Sequence, residues 1–387
     1  MHYELLEELW AAVSALPAVV PLLLLPGAAW LAARAWRQAP QAGVGRWVAG
    51  TLLLFGAADW ALLWALPRLG LSFGPVGLPL LGISAVRLLL ALGLAWLWAW
   101  AGGRLPRSPF AGRLAAGLAA LWLLNLGVLA CEVDGLYVEP FRLQVTHIQV
   151  PGPAFFPDRP LRIVHLTDLH VERTTRRERE LAGLVPTLQP DLIVLTGDYL
   201  STSTIDDPAA WEDARRLLAE LQAPYGVYAV TARTVDGPAD ELFDGLPVDL
   251  LRDEVRHLSI GREELYIVGV SYLEQQRDAE ALTALMGDLP PEARTLLLHH
   301  PPDLAPAATG AGVDLYLAGH THGGQIRLPL LGALFTPSAY GKRYEAGRYD
   351  LGGTTLYVSR GLGMEGLGAP RARFLCPPEV VVVDWGG

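Results

Sequence analysis

Four apolar runs crowd into the first third of the chain, about Trp10 to Trp36, Trp47 to Leu66, Leu78 to Ala101 and Leu114 to Cys131. Each is close to the ~20 residues a helix needs to cross a hydrocarbon core. A chain built this way must give that third to a bilayer or hide it. Hydrophobic types make up 51% of the 387 residues, and almost all of the excess lies before residue 132. Tryptophans near the ends of the runs (Trp36, Trp47, Trp98, Trp100) suit interfacial belts. The start is acidic (Glu4, Glu7, Glu8) and three further runs follow, which argues against a cleaved signal peptide. Pro17, Pro21 and Pro26 make the first run irregular.

Loop charges set an expected orientation. The first loop carries Arg34, Arg37 and Arg46, and the third carries Arg104, Arg107 and Arg113. The second has only Arg68, and Glu132 and Asp134 follow the fourth run. The positive-inside bias then places both termini, and everything after residue 135, outside the cytoplasm. Asp59 and Arg87 fall inside spans and are read as a charge pair, with a lipid-substrate or relay role the alternative, and Asn125 as an interhelical hydrogen-bonding group.

From residue 136 to 387 the composition becomes ordinary. Apolar, strand-like runs cover Leu161 to Thr167, Leu192 to Thr196, Gly226 to Thr231, Leu265 to Val270, Thr295 to Leu298, Val313 to Leu317, Thr354 to Ser359 and Val380 to Val383. Helical patterns lie between them at Thr175 to Leu188, Ala209 to Gln222 and Ala279 to Gly287. The alternation predicts one α/β domain. Cys131 and Cys376 are not expected to pair. The net charge of −10 and the lack of a basic stripe give no footprint for nucleic acid. Four spans with so few polar residues offer little pathway for a transporter.

The chemistry sits where strands end. Asp168-Leu169-His170, Gly197-Asp198, His300-Pro301-Pro302-Asp303 and Gly319-His320-Thr321-His322-Gly323-Gly324 each follow an apolar run. Residues two apart in an extended chain share a face. Hard oxygen and imidazole donors without cysteine suit Mn, Fe or Zn. One or two such divalent ions are expected, on a donor set of Asp168, His170, Asp198, His300, His320 and His322. His165 alternates with apolar residues and reads as core, His299 as structural, and His257 as solvated.

The stretches Leu161 to His170, Pro190 to Asp198, Ala223 to Val230, His300 to Asp303, Leu317 to Ile326 and Leu356 to Gly363 resemble the calcineurin-like metallophosphoesterases, in their bacterial membrane-associated subgroup. The resemblance implies a β-sandwich flanked by helices, here preceded by an all-α four-helix transmembrane domain. It also implies a metal-dependent phosphoric ester hydrolase in the bacterial plasma membrane, with a metal-activated water attacking phosphorus. By position, Asp168, His170, Asp198 and His322 would hold one ion, and Asp198, His300 and His320 a second. The implied partners are a phosphate-ester substrate, phospholipid included, and the membrane. Gly361 to Gly368 forms an apolar loop that either touches lipid or is merely mobile.

One motif departs. Where the family reads Gly-Asn-His-Asp or Gly-Asn-His-Glu, this chain reads Thr231-Ala232-Arg233-Thr234-Val235-Asp236. Arg233 replaces a ligand asparagine, and guanidinium has no acceptor with which to bind a cation. Thr234 replaces a histidine that assists catalysis. Three accounts stand open. Arg233 grips the substrate phosphate and supplies part of the missing charge; Asp236 acts as a substitute ligand; or the domain binds a phospho-ligand, as a scaffold, without hydrolysing it.

Overall fold

In the computed structural model, residues 42–102, 110–232, 239–365 and 371–386 are described. Contacts divide the chain into two compact units, Met1–Leu136 with Gly366–Arg371, and Tyr137–Glu365 with Ala372–Gly387.

Among its described residues the first unit contributes three long helices, α1 (Ala42–Ala65), α2 (Gly77–Gly102) and α3 (Phe110–Val133). Three stretches, Gly45–Ala65, Gly77–Trp98 and Ala116–Phe141, are long and apolar enough to cross a membrane. Large apolar side chains such as Leu89, Trp96 and Leu123 point outward, as lipid-facing residues do. The expected span from Trp10 to Trp36 lies outside the described residues. Asp59 and Arg87 pair as expected, through Nε to Oδ2 at 2.7 Å and Nη2 to Oδ1 at 2.5 Å. Arg87 also donates Nη1 to the backbone and side-chain oxygens of Asn125, tying the helices together.

The second unit is built on two six-stranded mixed sheets. Its strands are β1 (Gln144–Val150), β2 (Leu161–Leu166), β3 (Leu192–Thr196), β4 (Val227–Val230), β5 (Asp249–Leu250), β6 (Glu254–Ile260), β7 (Glu263–Gly269), β8 (Arg294–Leu298) and β9 (Leu315–Ala318). A small hairpin, β10 (Arg327–Leu328) and β11 (Gly332–Ala333), precedes β12 (Gly347–Leu351), β13 (Thr354–Val358) and β14 (Glu379–Trp385). One sheet runs β1-β14-β2-β3-β4-β5 and the other β12-β13-β9-β8-β7-β6. The interior strands β2, β3 and β4, and β7, β8, β9 and β13, are parallel within their sheets. They are apolar because both their faces are covered.

Ile163, Leu192 and Val194 of the first sheet share one apolar cluster with Leu265, Leu296 and Leu317 of the second. Two further clusters cover the opposite faces. Helices α4 (Arg176–Thr187) and α5 (Pro208–Ala219) pack on the first sheet. Helices α6 (Gln275–Gly287) and α7 (Ala305–Ala311) pack on the second. The start of α4 is fixed locally: Thr175 and Glu178 form a reciprocal capping box, read directly from Thr-x-x-Glu.

The expected strand from Val313 is narrower, Leu315–Ala318, because Val313 and Asp314 are taken up by the turn after α7. The loop after Gly361 corrects an expectation. Leu362 and Met364 are buried in the domain, so the described part of that loop offers no apolar surface to lipid.

Candidate metal centre

The six anticipated ligands converge at one edge. Asp168 and His170 follow β2, Asp198 follows β3, His300 follows β8, and His320 and His322 follow β9. All four strands are parallel with a neighbour, so the site lies outside the carboxyl ends of strands drawn from both sheets. Ladder-like bonds continue past the strand ends, from Asp168 N to Gly197 O at 3.0 Å and from His170 N to Asp198 O at 2.9 Å.

The backbone is held in an unfavourable shape to achieve this. Asp168, His170, Asp198, His320 and His322 all have φ between 40° and 70°. Such left-handed conformations cost of order 1–3 kcal/mol each outside glycine, and they persist only where surrounding structure imposes them. Glycines provide the close approach. A Cβ on Gly319 would meet Asp168 Oδ2 at 2.3 Å, and one on Gly361 would meet Asp168 Cβ at 2.6 Å.

Asp168, His170, Asp198 and His322 form one group whose ligand-capable atoms lie within 4.8 Å of one another. Asp198, His300 and His320 form a second such group. Asp198 Oδ2 is 3.3 Å from both His170 Nε2 and His300 Nε2. Imidazole nitrogens face one another at 3.1 Å between His170 and His322, and at 3.0 Å between His320 and His300. Asp198 Oδ1 is buried and has no hydrogen-bond partner among the described residues. Lone pairs converging on one point, with an orphaned carboxylate oxygen among them, fit divalent cations.

Neighbouring groups orient the donors. His300 Nδ1 donates to the Thr196 carbonyl at 2.6 Å, which turns Nε2 toward Asp198. The His320 amide donates to Asp168 at 3.1 Å, and Thr167 Oγ1 donates to its Oδ2 at 2.9 Å. Burial pulls the His300 imidazole down, but the Asp198 carboxylate overrides it and holds the group at about 9. His170 is raised by the same carboxylate against the same burial penalty. Burial pushes Asp198 up, yet His300 and His170 bring it well below the ordinary range. Burial, then the neighbouring His300, lowers His320 to about 3. The cluster therefore draws positive charge toward Asp198 and keeps His320 a neutral donor.

Other histidines fall as expected. His165 is buried against Thr196 Oγ1, His299 is buried against the Val270 carbonyl, and His257 is half exposed beside Glu264. Both cysteines are free, and Cys376 Sγ donates to the His322 carbonyl at 3.1 Å. Arg233, Thr234 and Asp236 lie outside the described residues.

Two residues at the site were not anticipated. Tyr272 sets its ring edge-to-face against His299 and His320 and tilted against His300, with centroids 5.5–5.9 Å away. It follows β7 just as the ligands follow their strands, which was the available signal. Glu365 Oε2 lies 3.4 Å from His170 Nδ1 and accepts from Thr202 N and Oγ1 at 3.0 and 2.6 Å. Nothing in a glycine-rich loop marked it.

Residues 161–324 match the family model described as calcineurin-like phosphoesterase. An uncharacterized metallophosphoesterase of Bacillus subtilis, YkuE, is 32% identical over 262 residues, covering 64% of this chain and 86% of that one. The chain belongs to the calcineurin-like phosphoesterase family. The phosphodiesterase YaeI of Escherichia coli is 30% identical, covering 60% of this chain and 85% of its own. The UDP-2,3-diacylglucosamine pyrophosphatase LpxG of Chlamydia trachomatis is 25% identical, covering 64% and 90% respectively. A phosphoester hydrolase of this family, with a possible metal site at the Asp/His cluster, is what these likenesses support. The apolar helices add a membrane to that description.

Proposed function

We propose that this chain is a membrane-anchored, metal-dependent phosphoesterase acting on a phosphomonoester or phosphodiester, lipid-linked esters being the favoured class. One observation carries the chemistry: a single oxygen, Asp198 Oδ2, sits 3.3 Å from a histidine of each donor set. Asp168, His170, Asp198 and His322 form one site for a divalent ion, and Asp198, His300 and His320 the other. Ions of the Mn, Fe or Zn type, held by these residues, would supply Lewis acidity there, lowering the pKa of water and neutralising phosphate oxygens. The protein's own part is positional. The Thr196 carbonyl fixes the His300 tautomer, and the His320 amide and Thr167 fix Asp168. Arg233, in the register of the family's asparagine, grips phosphate oxygens in our reading, with Asp236 the alternative replacement ligand.

The lipid-linked class is supported by the apolar helices and by a relative whose name specifies a diacylated substrate. We read the two sheets as the faces of a sandwich, and residues 1–135 as four spans with the catalytic domain, 136–387, outside the cytoplasm.

The test is hydrolysis of p-nitrophenyl phosphate and bis(p-nitrophenyl) phosphate by the full-length protein, with Mn, Fe or Zn added and with a chelator. Turnover that the chelator removes and Asp198→Asn abolishes is the expected result. Bound metal with no turnover on either ester would move the reading to a phospho-ligand binding protein.

A further inference from the structure

We propose that the β10–β11 hairpin is a lipid-docking element that seats the metal edge of the domain on a bilayer containing anionic phospholipid. The hairpin continues the metal-binding loop, beginning five residues after His322. Its base is anchored to that loop. Arg327 Nη1 donates to the Gly323 carbonyl at 2.8 Å, and Arg327 N donates to Phe374 O at 2.9 Å.

What projects from this base is apolar and exposed. Leu330 is 106% exposed, Leu331 65%, Leu334 60% and Phe335 72%, with Leu328 and Leu375 beside them. Leu330 and Leu375 also hold φ at 67° and 54°. Bulky residues rarely accept that conformation, and here it is held with the side chains turned to the outside. Isolated exposed leucines are ordinary, but a contiguous apolar patch on one element marks an interaction surface. Behind the hairpin lies an open recess of about 400 Å³, lined by Arg327, Leu328, Leu330, Leu331, Glu345 and Leu375.

Charge selects the partner. From Ile326 to Tyr344 the chain carries Arg327, Lys342 and Arg343 and no acidic residue, although its net charge is −10. Arg327 is paired with Glu345 at 2.8 Å. Lys342 and Arg343 form no ion pair among the described residues, and Lys342 Nζ reaches the Leu331 carbonyl at 2.5 Å. Apolar side chains flanked by lysine and arginine are the composition of an interfacial anchor, which couples apolar insertion to attraction for anionic headgroups. The same chain carries helices able to span a membrane, so a bilayer is the surface within its reach.

The proposal extends the lipid-linked reading above from chemistry to place. Its test contains no turnover, so it can fail while the hydrolase reading stands. The full-length protein, carrying Cys131→Ser, is reconstituted in vesicles of phosphatidylcholine with or without phosphatidylglycerol. A polarity-sensitive fluorophore is attached at Leu330→Cys, Phe335→Cys or, as a reference, Thr283→Cys on the exposed face of α6. The expected result is a blue shift at 330 and 335, with loss of emission when acyl-chain nitroxide lipids are included, and neither at 283. Phosphatidylglycerol should deepen the loss, and Lys342→Glu with Arg343→Glu should reverse that increment. Probes at 330 and 335 that behave like the one at 283 would overturn the proposal. So would a blue shift without nitroxide quenching, which would indicate a second copy of the chain covering the patch.

Discussion

Two buried polar clusters in this molecule solve the same problem in opposite ways. Among the helices, Arg87 is 2% exposed and spends its donors on Asp59 and Asn125. Its bidentate match to Asp59 pairs the two charges within the chain, with Glu132 alongside at 3.4 Å, whose Oε1 is buried without a hydrogen-bond partner among the described residues. At the sheet edge, two aspartates and four histidines converge, no lysine or arginine is one of the six, and among the described residues Asp198 Oδ1 has no hydrogen-bond partner. A buried charge must be paired or must coordinate a metal. The first cluster holds its counter-charge within the chain, while the second presents a donor set that fits a divalent ion. Burial of charge alone therefore says little about function. The informative feature is whether the carboxylates already face a fixed cation such as the Arg87 guanidinium.

That contrast can be broken at either end, beginning with the largest effect. Asp198→Asn should lower hydrolysis by roughly 10²–10³-fold or more, the size of loss seen when one electrostatic group is deleted from an active site. It should leave thermal unfolding little changed. A steady-state assay beside a melting curve checks both, and an active variant would show that the shared carboxylate is not the pivot of the site.

Arg87→Ala should do the reverse. Removing one partner of a buried pair leaves an uncompensated charge, at a cost of about 3–5 kcal/mol, whereas Asp59→Leu with Arg87→Met should recover most of it. Unfolding of the three proteins in the same detergent measures this. Metal content per folded chain should be equal in all three. A single variant as stable as the parent would place the pair outside the structural role given to it.

Glu379 offers a control within the phosphoesterase unit, a buried carboxylate satisfied by the chain itself. It accepts from Thr146 Oγ1 at 2.5 Å, Tyr357 Oη at 3.0 Å and Arg360 N at 3.0 Å. Burial pushes this carboxyl up, but Arg360 and the hydrogen bonds outweigh it and hold it below its ordinary 4.5. A depressed folded value means the stabilisation is present above pH 4.5 and fades as pH falls through the lowered value. Glu379→Gln should cost about 2 kcal/mol near neutrality, as for loss of hydrogen bonds to a charged group. Denaturant melts from pH 7 down to the acid limb would show the gap between variant and parent closing. A gap that widens in acid would reverse the assignment.

The smallest expected effect concerns Glu365, which faces the far nitrogen of a ligand rather than the ligand's donor side. Glu365→Gln should weaken metal affinity by about tenfold, the lower end for outer partners of ligating histidines. A competition titration against a chelating dye would show it. A change confined to thermal stability would reduce Glu365 to a tie between its own loop and Thr202.

The Asp/His cluster was legible because each of its residues stands just past an apolar run, where a strand stops and a side chain can turn in toward the sheet edge. Asp168, Asp198 and His300 are of this kind. The strands nearest them were legible for the same reason. β1 and β6 were not, since Gln144–Val150 and Glu254–Ile260 mix polar and half-buried positions at sheet margins. The place of β14 between β1 and β2 could not be read locally, because it pairs residues more than 200 positions apart. Tyr272 and Glu365 escaped for a related reason. Their relevance comes from the rings and backbone they meet across the fold, not from any spacing of their own. The hairpin from Arg327 to Phe335 escaped the sequence reading, because a short apolar run reads equally well as core and only its exposure sets it apart.

Divalent ions held by the sheet-edge cluster are the feature on which the proposed chemistry depends. The direct test is metal content per chain of the purified full-length protein, by elemental analysis, for the parent and for Asp198→Asn after equilibration with Mn, Fe or Zn. The account predicts bound metal in the parent and a marked loss in the variant, where the one oxygen common to both donor sets is compromised. A parent that binds none of these ions, or a variant that retains the full complement, would contradict it.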